Sequence, residues 1–227
     1  MNDRYRDDLA WIHHTGFSEF SESAAPWLAG ILPRGLIVDI GCGSGVLARE
    51  LTRAGFDVLG VDASPSMIAL ARETAPAARF QTGTFADFDL PPCSAITAIG
   101  EVLNYGRRDD LPPFFYRAAK NAQLLVFDIA ERGSYPEHDE VRTGGDDWSV
   151  IAIKDSDGAR LTRRVLTFRH IDGTTRRSEE VHELELYERD DVMHMLRDDG
   201  FAVRTRRSYG NRRLPRGHTV YIARREA

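Results

Sequence analysis

The chain has 227 residues, a formal net charge of −5, 42% hydrophobic residues and 29% charged residues, a balance that suits one globular domain, with or without an insertion. The negative charge argues against a general nucleic-acid binder, and lysine stands only at positions 120 and 154, so arginine supplies nearly all the positive charge. No apolar run approaches ~18 residues, the opening MNDRYRDDLAW lacks a secretory pattern, and two cysteines without metal-ligand spacing suit a reducing cytoplasm.

Residues 7–20 read as a helix followed by a loop, and residues 21–32 as a second helix with Trp27, Leu28, Ile31 and Leu32 on one side. Pro33-Arg34-Gly35 stops it. Tyr5, Trp11, His13, His14, Phe17 and Phe20 make this segment dense in aromatic and histidine residues. Residues 1–34 are expected to be a helical lid over a site, with plain packing on the sheet edge as the alternative.

Residues 36–45, LIVDIGCGSG, read as a buried parallel strand that ends in a glycine turn and runs into a helix over 46–54. Gly41, Gly43 and Gly45 let the backbone turn sharply and approach a ligand. Gly55 stops the helix. A second strand, VLGVD, ends at Asp62, 21 residues after Gly41. An acid at that spacing is placed to bond a ribose diol. Asp39 adds a carboxylate inside the first strand's apolar end. A pyrophosphate gains nothing from an anion there; an amino group or sulfonium does.

Ser64 reads as N-cap and Pro65 as the first residue of a helix over 66–73, with Met67 on its first turn. Residues 79–82 form a short third strand, followed by Gly83, Thr84 and Phe85 and an acidic loop over 86–90. Residues 95–100 read as strand four, with Glu101, Asn104 and Tyr105 just beyond its end, where ligand and substrate should meet. A helix over 109–121 and strand five over 123–129 complete an alternating pattern that gives a parallel sheet covered by helices on both faces.

The pattern then changes. Residues 147–154, 160–170 and 175–187 read as three antiparallel strands, with turns at 155–158 and 172–173. Leu166 and Phe168 are assigned to one face together with Leu184 and Leu186. Arg163, Arg164, Arg176 and Arg177 are expected to pair across strands with Glu179, Glu180, Glu183 and Glu185. A helix over 189–199 and a closing hairpin, 201–208 with 218–223, end the chain. Its last strand is expected to be antiparallel to the main sheet. The hairpin loop over 209–217 is basic, and is read as solvated surface or an attractor for an acidic substrate.

The two strand tips resemble motifs I and II of the class I S-adenosylmethionine-dependent methyltransferases. The likeness spans about residues 35–128 and the C-terminal strands more loosely. It implies an α/β, Rossmann-like doubly wound seven-stranded sheet with a terminal antiparallel strand and a small inserted antiparallel sheet. The expected division is a lid over 1–34, the methyltransferase domain over 35–130 and 188–227, and the inserted sheet over 131–187. That sheet resembles additions in small-molecule N-methyltransferases that roof the active site; a dimer interface or a purely structural sheet is the alternative.

The resemblance implies S-adenosylmethionine as cofactor, held by Phe20, Asp39, Gly41, Cys42, Gly43, Gly45, Asp62, Ala63, Met67, Thr84, Phe85, Gly100 and Glu101. In the family an acid often meets the adenine edge where Thr84 and Phe85 stand here. The Asn/Asp-Pro-Pro-Tyr signature of enzymes that methylate adenine or glutamine amides is absent, which points to N- or O-methylation of a small molecule. His14 and Tyr105 are the candidates for a base, which a hydroxyl acceptor needs. No nucleic acid, membrane or metal is expected as partner; a homodimer is the oligomeric alternative. Two competing readings share the layout: a nicotinamide-dependent oxidoreductase, against which Asp39 and the valine at position 46 count, and a non-catalytic cofactor-binding module.

Overall fold

The computed structural model describes residues 4–226. In chain order the main elements are α1 (Asp7–Phe17), α2 (Glu19–Ile31), β1 (Leu36–Ile40), α3 (Val46–Arg53), β2 (Asp57–Asp62), α4 (Pro65–Thr74), β3 (Arg79–Thr82), β4 (Ala95–Ala98), α5 (Leu111–Asn121) and β5 (Leu124–Ala130). There follow β6 (His138–Gly144), β7 (Trp148–Ser156), β8 (Arg160–Ile171), β9 (Thr174–Glu185), α6 (Arg189–Asp198), β10 (Phe201–Arg206), β11 (Ser208–Tyr209), β12 (Arg212–Arg213) and β13 (His218–Arg225).

Seven strands form the main sheet in the order β10-β13-β5-β4-β1-β2-β3. β1 to β5 run parallel, and β13 lies antiparallel between β5 and β10. The central strands are buried along their length because helices cover both faces: β5 is buried at all seven positions. Burial on both faces is why these strands read as unbroken apolar runs. On one side Phe114, Phe115, Phe127 and Tyr221 pack in the core, with Phe127 and Tyr221 stacked at 4.9 Å. On the other, Leu28, Leu47, Leu51 and Ile68 pack against β1 and β2.

The strand-to-helix turn after β1 is held by Gly41 and Cys42, whose N–H groups both donate to the Val61 carbonyl, at 2.7 and 3.0 Å. Gly45 has φ +78°, and a Cβ on it would lie 2.9 Å from Ala71 Cα. It therefore lets α3 pass close to α4. Ser64 caps α4 by accepting the Met67 N–H at 3.1 Å, with Pro65 as the first helical residue.

The inserted sheet has four strands in the order β6-β7-β8-β9; three were expected. β6 escapes sequence reading because it is an edge strand, HDEVRTG, exposed at six of its seven positions, so no apolar alternation marks it. The expected faces are also reversed for β8. Leu161 is the residue opposite Leu184, Arg163 opposite His182, and Val165 opposite Glu180. Leu161, Val165 and Thr167 are buried with Leu184, whereas Leu166 and Phe168 lie on the outer face opposite Glu179 and Arg177. The expected ladder of arginine–glutamate rungs is replaced by other partners. Arg163 turns inward to Glu101, Arg176 pairs with Asp8 of α1, and Glu180 accepts from the backbone of Tyr5 and Arg6. Arg177 pairs with Glu179 on its own strand.

Gly45→Ala combines a left-handed backbone with a backbone clash. It should cost about 1–3 kcal/mol in chemical denaturation, while Gly43→Ala, whose Cβ meets nothing within 4 Å, should cost less despite its φ of +53°.

Candidate active site

A cavity of about 720 Å3 opens at the C-terminal ends of β1, β2 and β4, between the glycine turn, α4 and the first two helices. This is where the crevice of an open parallel sheet is expected. Of the residues singled out from sequence, Asp39, Gly41, Cys42, Gly43, Asp62 and Ala63 line it from the first two strand tips. Phe20, Met67, Thr84, Phe85, Gly100 and Tyr105 line the remaining walls.

Asp62 sits at the end of β2 and points into the turn after β1. Its Oδ2 accepts the Gly43 N–H and its Oδ1 the Ser64 N–H, both at 2.8 Å. Each oxygen keeps a lone pair for a hydroxyl donor in the cavity. Asp39 is 2% exposed, and its Oδ1 accepts the Thr97 hydroxyl at 2.6 Å. Among the described residues no donor reaches its Oδ2. Burial pushes the Asp39 carboxyl up to about 7, against the Thr97 bond, and the neighbouring Asp62 adds to the rise. Burial also raises Asp62, against its two backbone bonds. Burial likewise keeps the Cys42 thiol protonated.

These features suit a nucleoside with a cationic tail. A buried carboxylate with an unpaired oxygen on a cavity wall lacks a positive partner. A Cβ at Gly43 would enter open space beside it, so the bare backbone leaves room for a ligand. Met67, Leu47, Ile99 and Val102 supply apolar wall. Thr84 is committed to Asp87, which accepts both its N–H, at 2.8 Å, and its hydroxyl, at 2.6 Å. Phe85 packs edge-on against Phe114 at 5.3 Å and over Gly106, where a Cβ would lie 2.1 Å from its ring. It forms a fixed wall and is not free to follow a base.

Three expected residues fall outside the cavity lining. Gly45 is turned to α4, as described above. His14 bonds to the glycine turn, its Nδ1 2.9 Å from Ser44 Oγ; its neighbour His13 lines the cavity instead. Burial holds the His13 imidazole down, at about 4, so it is neutral near pH 7. Glu101 has φ +63°, which turns its carboxylate away from the crevice and under the inserted sheet. There Oε1 accepts from His218 Nε2 and Tyr135 Oη, and Oε2 from Arg163 Nη2, all at 3.0 Å. Burial alone would raise its carboxyl, but the Arg163 charge and the His218 bond outweigh it and hold it at about 2.

Asn104, also expected near the ligand, is fully buried. Its side chain donates to the carbonyls of Ala130 and Glu185 and accepts the Ala130 N–H, which ties β5 to β9. Asp128 was missed. It accepts Gly100 N–H at 2.7 Å, Tyr209 Oη at 2.6 Å and Glu101 N–H at 3.0 Å, and so shapes the turn after β4. Its signal was present: it is the one charge inside the apolar strand QLLVFDI. Among the described residues no His, Cys, Asp and Glu cluster could hold a metal ion, and no helix is long and apolar enough to cross a membrane.

Comparison with known proteins agrees with this geometry. Residues 37–123 match the Methyltransferase domain family. A putative methyltransferase of Geobacillus sp. is 31% identical over 190 residues, 74% of each chain. The CcbJ methyltransferase from Streptomyces caelestis has the same fold, with a TM-score of 0.83 at 16% identity over 99% of both chains. A SAM-bound amino pentose methyltransferase from Micromonospora echinaspora gives a TM-score of 0.74 at 18% identity, over 96% of this chain and 95% of that one. Fold and cavity together define a class I methyltransferase of Rossmann-like architecture. The chain belongs to the S-adenosylmethionine-dependent methyltransferase family, and S-adenosylmethionine is its cofactor.

Asp39 gives a paired test. A raised folded value means that stability is full below about pH 4 and is lost as pH rises to about 7. The shift corresponds to at most about 4 kcal/mol. Asp39→Asn should therefore raise the thermal stability of the cofactor-free protein at pH 8. In calorimetry the same variant should bind S-adenosylhomocysteine about tenfold to a hundredfold more weakly.

Proposed function

We propose that the protein transfers a methyl group from S-adenosylmethionine to an amine or hydroxyl of a small molecule. The observation that carries this reading is the composition of the cavity. Its two strand-tip carboxylates suit the cofactor, and Arg4, Tyr5, Tyr105 and Arg107 add polar groups to the wall of the same cavity. Cavities of this size hold small molecules. The first two helices contribute Phe17, Ser18, Glu19 and Phe20 to the wall, which supports their role as a lid. The amino pentose methyltransferase among the structural neighbours makes amino sugars the first acceptors to test.

In this reading Asp39 holds the cofactor's amino group and Asp62 its ribose hydroxyls. The backbone of Gly41 and Gly43 lies along the methionine portion, and Met67 and Phe85 wall the adenine. The bound cofactor supplies an activated methyl group on sulfur. The protein's part is to hold the acceptor atom in line, to keep water out and to receive a proton. Tyr105, like Tyr5, lines the cavity, and the Tyr105 oxygen lies next to Tyr5, His182 and Arg163. The inserted sheet backs this wall and contributes no residue to the cavity lining; its Arg163 reaches both Glu101 and Tyr105.

Radiolabelled methyl transfer to a panel of small amines and alcohols tests the activity directly. Sustained turnover with at least one acceptor is expected. Calorimetry separates the alternatives: S-adenosylhomocysteine should bind and NAD should not, and tight binding of NAD alone would overturn the reading. Asp62→Asn should weaken S-adenosylhomocysteine by about 1–3 kcal/mol; unchanged affinity would show that the ribose lies elsewhere.

A further inference from the structure

A chain of hydrogen bonds leads from the acceptor wall of the cavity into the inserted sheet. Tyr105 lines the cavity, and its hydroxyl lies 3.3 Å from His182 Nδ1. His182 Nε2 lies 3.0 Å from Glu180 Oε2. Both β9 side chains are closed off from solvent, at 1% and 3% exposure.

Glu180 is ionised. Burial would raise its carboxyl, but the bonds from His182 and from the backbone N–H groups of Arg6 and Tyr5 outweigh that and hold it down. An ionised carboxylate only accepts, so the proton of a neutral His182 sits on Nε2. That leaves the Nδ1 lone pair facing the Tyr105 hydroxyl. Tyr105 then donates to His182 and presents its oxygen to the cavity. Tyr5 Oη lies 3.2 Å from that oxygen and Arg163 Nη1 3.5 Å, and the guanidinium favours negative charge developing there.

Two polar side chains at the inner face of a sheet are costly where leucine or valine would pack. Their neighbours on the same face, Leu161, Val165 and Leu184, are apolar. Glu180 also anchors the backbone of Tyr5 and Arg6, but His182 has no such duty, and the cluster ends at a cavity residue, where a proton path gives it a use.

We propose that Tyr105 is a catalytic residue that accepts the proton of the methyl acceptor, and that His182 and Glu180 are positioning residues that draw Tyr105's own proton inward. This rests on the methyltransferase reading above. As the acceptor's lone pair bonds to carbon, the carbon–sulfur pair returns to sulfur, and the positive charge passes to the acceptor. The acceptor's N–H or O–H proton goes to the Tyr105 oxygen. The Tyr105 hydroxyl proton goes to His182 Nδ1, which leaves an imidazolium against the Glu180 carboxylate. That proton returns to solvent by the same route once product leaves.

The groups that face His182 are Tyr105 from the turn after β4, Tyr5 from the N-terminal segment, Arg163 from β8 and Glu180 from its own strand, with Glu101 beyond Arg163 and the Arg6 guanidinium 3.6 Å from Glu180 Oε1. The test combines kinetics with 15N NMR of the imidazoles in the cofactor-free protein. The wild type should show His182 protonated on Nε2, and kcat should fall in acid with one inflection. Tyr105→Phe and His182→Asn should each lower kcat at least tenfold with KM within twofold, and His182→Asn should abolish the inflection. Glu180→Gln should move the inflection to lower pH, because the carboxylate that favours the imidazolium is gone. A proton on Nδ1, or a Tyr105→Phe enzyme with wild-type kcat and pH profile, overturns the relay. If His182→Asn fails to fold, the Tyr105→Phe kinetics and the tautomer decide. Absence of turnover with every acceptor counts against the methyltransferase reading; turnover that ignores Tyr105 counts against the relay alone.

Discussion

Asp39 and Asp62 stand at the tips of two adjacent parallel strands, both desolvated, and Asp62 adds to the cost of ionising Asp39. Burying one carboxylate is expensive; burying two side by side without a cation is more so. The fold keeps both because it satisfies them only in part. Thr97 meets one oxygen of Asp39, and two backbone N–H groups meet Asp62. The remaining lone pairs face a cavity of about 720 Å3. In the proposed function a cationic, hydroxyl-bearing ligand completes the set, and the sheet, turn and capped helix place those lone pairs.

The second half of the site is built on a different charge pair. Glu101 leaves the crevice through a left-handed backbone and meets Arg163 of the inserted sheet at 3.0 Å. A buried pair of this kind is weak evidence for stability, but breaking it is costly, so it fixes where the inserted sheet sits. Asn104 does the same with neutral bonds between β5 and β9. The N-terminal segment is tied to both parts: Tyr5 O accepts the Ser64 hydroxyl, and Tyr5 N–H donates to Glu180. The N-terminal segment, the turn after β2 and the inserted sheet are therefore joined by bonds.

Much of the cradle was legible in the sequence, for a physical reason. Doubly covered strands must be apolar throughout, so Asp39 and Asp62 stood out against Ile37, Val38, Val58 and Val61, and Ser64-Pro65 announced a helix start. The acceptor side was harder to read. β8 carries apolar residues on both faces, and only the pairing of Leu161 with Leu184 decides which face is inside. That register sends Arg163, Glu180 and His182 inward, against the pattern that hydrophobicity alone suggests. His13 and His14 are neighbours on one helix, and about 100° of rotation puts His13 on the cavity wall and leaves His14 bonded to Ser44. Glu101 follows a strand end, as a ligand-binding acid would, and a single positive φ turns it away.

The proposed cofactor site rests on an unpaired buried carboxylate at Asp39 that a bound cation satisfies. Carboxyl 13C NMR of Asp39, titrated against pH with and without saturating S-adenosylhomocysteine, reads this directly. The expected midpoint is near 7 in the free protein, lowered by at least about one unit when the ligand's amino group is bound. An Asp39 midpoint that is already at an ordinary carboxylate value in the free protein, or one that stays put on saturation, would contradict it.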